Sequence, residues 1–407
     1  MNTLFLSGYG ITLSVNAGRL HVKDGRDADK DESESYVFRP KMIDVDNIVI
    51  YGHSGNISLD AIKWLSKQNV QLTVLNWDGR LLTNILIPEV KQNNVRMAQY
   101  DAARDERKVE IAKFFIDAKI KNSILVLDWL AARYPELRET KKVCFDQIEG
   151  VKEKLPKAKN TAEVRSVEGN VANAYWEIVS STFDDKFEFE GRLMGKTGRP
   201  YGAVDPINAL FNYGYTMLEA QCWRAINANG LDPYVGFNHE MAVGKAALAY
   251  DLQEPYRWLI DVAVIDALER KIFDKSDFMI TENYNIRLRP VGVRKLVDVV
   301  NSQFSSKVQF KGKSWEWGYV ISQKAGELAN FILSKKAKLD FSDPTPILVR
   351  NDSAIIREKI LNASYYEWKK MGFSKGSLHY LKQNAKKDEP FQVYGKVKER
   401  LLAEDGE

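Results

Sequence analysis

Between Gly230 and Asp261 the chain reads GLDPYVGFNHEMAVGKAALAYDLQEPYRWLID, which gathers His239, Asp251, Glu254 and Arg257 in one short segment of a protein with only four histidines. Gly230 and Pro233 end the preceding helix, an extended Tyr234–Phe237 run follows, and the apolar spacing predicts a helix starting near Ala247. On that helix Asp251 and Glu254 are three residues apart and share a face, while His239 arrives from the loop before it. An imidazole and a carboxylate meeting from two elements can form an oxygen/nitrogen metal site, provided a further acid comes from elsewhere in the chain. The bland reading is a hydrogen-bonded structural histidine beside an ordinary Glu254–Arg257 helix pair, and local spacing leaves both open. The sequence has no HExxH, CxxC pair, P-loop or GxSxG to support a rival chemistry. The GHSG around His53 lacks the sequence of a serine nucleophile elbow, so His53 is expected to be structural.

The elements that would position these residues follow from length and pattern. At 407 residues the chain has room for two or three domains, and its apolar and charged fractions are those of an ordinary globular protein. The start, MNTLFLSGYGITLSV, lacks the basic-then-apolar pattern of a signal peptide, and no run of eighteen apolar residues predicts a membrane span. Cys144 and Cys222 are far apart, so a reduced cytoplasmic setting without structural zinc is expected. The net charge is +4, but Thr345–Arg400 alone holds twelve Lys/Arg against six Asp/Glu, an excess that suits a polyanionic partner.

An α+β multidomain architecture is expected. Residues 1–88 read as a β-rich domain with β-branched runs at Thr3–Leu6, Ile11–Val15, Arg19–Val22, Tyr36–Phe38, Ile48–Tyr51, Val70–Leu75 and Leu81–Ile87. Asp24-Gly25 and Asp78-Gly79 predict hairpins. One helix, capped by Ser58, should bury Leu59, Ile62 and Leu65. Residues 95–338 read as an all-α domain whose first long helix carries Val109, Ala112, Phe115, Ile116 and Ile120 on one face. Further on, SVEGNVANAYWEIV places Glu168 among small and aromatic residues, where an acid is costly to bury unless paired. Local sequence by itself favours Glu168 facing solvent. The irregular Phe183–Pro200 segment ends in GRLMGKTGRP and can present Arg192, Lys196 and Arg199 to phosphates.

DFSDPTP at Asp340–Pro346 predicts a linker, and residues 346–407 a basic three-helix unit turning at Gly372. Helix, short glycine turn, helix is the helix-turn-helix plan. Ser374 would cap the last helix, with Leu378, Leu381 and Ala385 inward and Lys375, Ser377, His379, Lys382 and Gln383 outward to read bases and phosphates.

Several motifs together carry a family resemblance. DPINALFNYGY, then GLDPYVGFNHE, then ALAYDLQEPYRWLID closely resemble the CRISPR-associated spacer-acquisition integrases and their transposon-encoded relatives, the casposases. IVIYGHSGNISLDAIKWLSKQNVQLTVLNWDGRLL resembles the end of that family's β domain, RMAQYDAARDERKVEIAKFFIDAKIKN its first long helix, and SVEGNVANAYW its glutamate motif. The resemblance covers about residues 1–335 in order.

By that resemblance Glu168, His239 and Glu254 match the family's metal-binding residues, with Asp251 in a supporting place beside the catalytic site. Asn238 stands where an apolar residue is expected before the histidine. The resemblance implies a metal-dependent endonuclease and integrase, dimeric largely through the β domain. Two carboxylates and an imidazole suit Mg²⁺ or Mn²⁺, which would lower the pKa of a DNA 3′-hydroxyl or of water and offset charge on the phosphate. Since neutral His239 is the ligand form, activity is expected to fall at acidic pH, and a profile flat down to about 5 would contradict the assignment. The added C-terminal unit points to a casposase, which must find its own element's inverted-repeat ends and a target duplex as a homodimer or larger assembly. The runner-up is a CRISPR integrase that borrows a small partner protein. A non-catalytic architectural DNA-binding protein is the alternative from another class.

Overall fold

The computed structural model describes residues 3–26, 33–76, 81–85, 93–134, 137–189, 191–192, 202–282, 284–336, 338–346, 359–386, 393, 397 and 401. The chain divides into two compact units, 1–347 and 348–407. The first opens on strands β1 (Thr3–Asn16), β2 (Arg19–Lys23), β3 (Ser35–Phe38) and β4 (Asn47–Ile57), then helix α1 (Leu59–Lys67), β5 (Gln71–Leu75) and β6 (Leu81–Ile85). They form one mixed sheet in the order β3-β2-β1-β4-β5-β6, with β1/β4 and β4/β5 parallel and the other pairs antiparallel. The expected Thr3–Leu6 and Ile11–Val15 runs are one strand. Register shifts at Gly8/Tyr9 and Tyr9/Ile11 let β1 stay paired with β4 across the interruption.

Local physics explains where the sheet departs from expectation. The tight β1–β2 turn falls on Ala17-Gly18, both at positive φ, as a two-residue hairpin turn demands. Asp24-Gly25 makes no such turn. The Asp24 carboxylate is buried instead, accepting from the N–H groups of Ser7 and Gly25 and pairing with Arg294 at 3.2 Å. Ser58 caps α1 through the Ala61 N–H, but the helix buries Ala61, Trp64 and Leu65 and leaves Leu59 exposed. Asp78-Gly79 and the His53 side chain lie outside what is described.

Nine helices of the first unit follow the sheet among the described residues: α2 (Asn93–Ala102), α3 (Arg107–Arg133), α4 (Arg138–Lys152), α5 (Thr161–Ser180), α6 (Pro206–Ala228), α7 (Ala247–Gln253), α8 (Arg257–Glu269), α9 (Pro290–Ser305) and α10 (Trp317–Ile332). The region is not all-α, however. Two antiparallel ribbons interrupt it, β7 (Phe278–Ile280) with β8 (Ile286–Leu288) and β9 (Lys307–Phe310) with β10 (Lys313–Glu316). Lys311 and Gly312, both at positive φ, turn β9 into β10, so Ser314–Glu316 is strand within the stretch expected to be all-α. Sheet and helices are joined by buried polar contacts, including Tyr213 Oη to Tyr51 Oη at 3.0 Å and Gln71 Nε2 to the Ala220 carbonyl.

In the second unit, α11 (Tyr365–Lys370) and α12 (Lys375–Ala385) meet across a turn where Gly372 has φ 78. Ser364 and Ser374 cap them, and Trp368, Leu378 and Ala385 share a core with Ile360 and Leu401.

Candidate active site

Three elements supply the converging side chains. α5 starts at Asn160, whose side chain caps the Glu163 N–H, and two turns later it presents Arg165 and Glu168 three residues apart on one face. Arg165 clasps the loop after α6, donating to the Asn238 carbonyl at 2.7 Å and pairing with Glu240 at 3.0 Å. The start of that loop is held by α2. The Gln99 amide donates to the carbonyls of Asp232 and Val235 and accepts from the Asp232 N–H. The third element is α7, which runs into a 3-10 turn at Glu254–Tyr256 and continues as α8.

Asp251 fixes the histidine loop. Its carboxylate is fully buried and accepts from the backbone N–H groups of Phe237, Asn238 and His239 at 2.5, 3.0 and 2.9 Å. The same carboxylate lies 2.8 Å from His239 Nδ1. With Nδ1 donating to Asp251, the lone pair of the neutral ring sits on Nε2, the arrangement that second-sphere carboxylates impose on metal-binding histidines. His239 Nε2 is 3.9 Å from Glu254 Oε1, too far for a hydrogen bond.

Glu168 does not face away into solvent. Its carboxylate and that of Glu254 both contact the Lys119 ammonium, Glu254 at 2.6 Å. Lys119 comes from α3, where Asn122 one turn later donates to the Pro255 carbonyl at 2.8 Å and holds the 3-10 turn against the helix. Arg257 lies 3.8 Å from Glu254 and stacks on Tyr215, 3.8 Å from the ring centre. The Tyr215 and Tyr175 hydroxyls both donate to buried Asp261, at 2.5 and 2.7 Å.

Burial opposes the charged imidazole of His239, but its bond to Asp251 and the Glu254 and Glu168 charges outweigh this and raise its pKa. Burial likewise opposes the Glu254 carboxylate, yet Lys119, Arg257 and His239 hold it well below the usual carboxylate range. These residues suit a divalent metal. Glu168 and Glu254 share the Lys119 ammonium, His239 Nε2 lies 3.9 Å from Glu254 Oε1, and Glu254 Oε2 has no hydrogen bond besides its ion pair, although among the described residues no three such side chains stand close enough to hold an ion as they are.

The structure brings Glu168, His239, Glu254 and Asp251 together, and it adds Lys119, which sequence reasoning missed. Its signal was present. Position 119 is three residues after Ile116 and four after Phe115, so a lysine there interrupts the buried stripe of α3 and requires an anion. Arg192 departs from the expectation of an exposed phosphate contact. It packs over the rings of Trp176, Phe211 and Tyr215 and donates to the Asn208 and Asn212 side chains. Lys196 and Arg199 lie outside the described residues. On α12, Lys375, His379 and Gln383 are exposed and Lys382 is half-buried. Ser377 is turned inward, accepting from the Trp368 indole at 2.9 Å and donating to the Ser374 carbonyl, so it supports the turn between the helices. Tyr366 and Tyr380 are exposed there and were not singled out from sequence.

Beside a mixed sheet the fold gathers two glutamates, an aspartate, an imidazole and a lysine in one place. The chain belongs to the family of the CRISPR associated protein Cas1, whose model matches residues 4–302. It is 31% identical over 346 residues to the CRISPR-associated endonuclease Cas1 1 of Archaeoglobus fulgidus, covering 82% of this chain and 97% of that relative. A solved structure described as a casposase bound to integration product is 46% identical, with a TM-score of 0.82 over 90% of this chain and all of that one (100%). A CAS1 protein from Thermotoga maritima shares the fold at 17% identity, with a TM-score of 0.68 over 84% of this chain and 99% of that one.

Proposed function

We propose that this chain is a metal-dependent DNA integrase of the casposase kind, joining the 3′-hydroxyl ends of a mobile element to target DNA by transesterification. It is a DNA endonuclease and integrase by family. The observation that carries the metal reading is that Glu168 and Glu254 share one cation while His239 Nε2 lies 3.9 Å from Glu254. Those three residues would hold Mg²⁺ or Mn²⁺. Bound there, the metal would acidify a DNA 3′-hydroxyl or water and offset charge building on the phosphate. In the neutral ring Asp251 keeps the proton on Nδ1, so Nε2 carries the lone pair, and it holds His239 in position; Arg257 adds a fixed positive charge beside Glu254 that favours the approach of phosphate.

DNA is the partner this chemistry requires. The structure described as a casposase with its integration product supports DNA ends joined to a target, because it is similar to this chain over nearly its whole length. Residues 346–407 act in this reading as the basic helix-turn-helix module that selects element ends, through Lys375, His379, Lys382 and Gln383. Exposed Val37 on edge strand β3 and Leu82 on edge strand β6 support dimerisation through the sheet.

The second reading, a CRISPR spacer-acquisition integrase working with a small partner protein, is favoured by the name of the Archaeoglobus relative. Gene neighbourhood separates the two: a repeat array with a partner gene, or terminal inverted repeats with a DNA polymerase gene. Catalysis itself is tested by strand transfer of oligonucleotide ends with Mn²⁺. His239→Ala is expected to lose at least about a thousandfold in rate, as when a group acting in the transition state is removed, while keeping the fold. Equal joining by both proteins would remove His239 from catalysis, and no joining by either would leave only an architectural DNA-binding role.

A further inference from the structure

We propose that Lys119 is a built-in counter-cation that occupies the metal position between Glu168 and Glu254 in the metal-free protein, and that the divalent ion binds by displacing it. The inference rests on the metal reading above and concerns how the site is filled. Lys119 is the only side chain among the described residues that is ion-paired with both carboxylates, and its own side chain is 16% exposed. Two carboxylates sharing a partly buried site repel each other, and without a cation one of them would take up a proton or turn away. The ammonium removes that cost and holds both oxygens converged before any metal arrives. Arg257 cannot substitute, because it lies 3.8 Å from Glu254 and is engaged on the Tyr215 ring.

An ammonium and a divalent ion cannot share one point between the same oxygens. A flexible four-carbon stem lets the lysine leave without moving α3, which Asn122 keeps fastened to the Pro255 carbonyl. Metal uptake is therefore an exchange of one cation for another, and the wild-type affinity carries the cost of expelling the first.

Full-length protein stripped of metal, as wild type and Lys119→Met, is titrated with Mn²⁺ by calorimetry and melted with and without the ion. The variant is expected to melt lower without metal, to gain more in Tm from Mn²⁺, and to bind it at least about tenfold tighter, about 1.4 kcal/mol. Equal or weaker binding by the variant overturns the exchange while the metal reading stands. No binding by either protein overturns the metal reading itself and the inference with it. A variant that folds only when Mn²⁺ is present supports the exchange. An independent measurement on wild type covers a variant that folds in neither state. Lys119 should resist an amine-acylating reagent without metal and become labelled, by peptide mass spectrometry, when Mg²⁺ is added. Equal labelling in both conditions overturns the proposal.

Discussion

Asn238 is 1% exposed, and among the described residues neither polar atom of its side chain has a hydrogen-bond partner. Its backbone does what the site needs, giving its N–H to Asp251 and its carbonyl to Arg165. The side chain is therefore a buried amide without compensation, at a position where the family resemblance leads one to expect an apolar residue. Asn238→Leu should stabilise the protein by about 1–2 kcal/mol, read as a higher Tm, with Mn²⁺ affinity unchanged. A lower Tm would mean that the amide has a role in the fold. Glu219 on α6 is a second residue burdened by burial, which pushes its carboxyl from 4.5 up to about 7, with the Trp223 indole nearby but making no well-formed hydrogen bond. Because the folded state prefers the protonated acid, Glu219 is neutral for stability below its ordinary pKa. It becomes destabilising as pH rises, fully so above about 7. Glu219→Gln should raise stability at pH 8 by at most about 3 kcal/mol, and the gain should vanish near pH 4. Melting curves across that range check the sign.

At the scale of elements, the site depends on how closely the histidine loop meets α7. A Cβ on Gly236 would lie 2.7 Å from Ala247 and 2.8 Å from the Asp251 carboxylate, so the loop can reach Asp251 only with glycine there. Gly236→Ala should cost about 1–3 kcal/mol by overpacking and weaken Mn²⁺ binding by about 10- to 100-fold, since Asp251 orients His239. An unchanged affinity would show that the loop relaxes without moving the imidazole. Much of this was legible in spacing. The α7 helix begins at Ala247 as read and carries Asp251, with Glu254 in the 3-10 turn just past its end. Spacing treated those two acids alike, however. Their roles separate only because Asp251 faces three backbone N–H groups while Glu254, one residue past the end of α7, turns toward α3.

At the scale of the molecule, the compact unit 1–347 contains every residue of the candidate site, while 348–407 has its own small core around Trp368. Deleting 348–407 should leave the first unit folded, with its Tm and Mn²⁺ affinity intact. It should remove the preference for element ends over unrelated DNA, measured as the ratio of the two affinities at fixed salt. Loss of Mn²⁺ binding in the truncated chain would contradict this division. The sequence by itself determined the mixed class of fold, the run of the long α3 helix, the turn between two helices at Gly372, and, through family resemblance, the candidate ligands. Periodicity and turn residues act over a few neighbours, so they can be read without a structure. Only the tertiary structure decided that Glu168 faces inward, that Arg192 lies on aromatic rings, that Ser377 props its turn, and that Lys119 stands between the two acids. Those outcomes depend on which charge from a distant helix arrives opposite, and no local pattern encodes that distance.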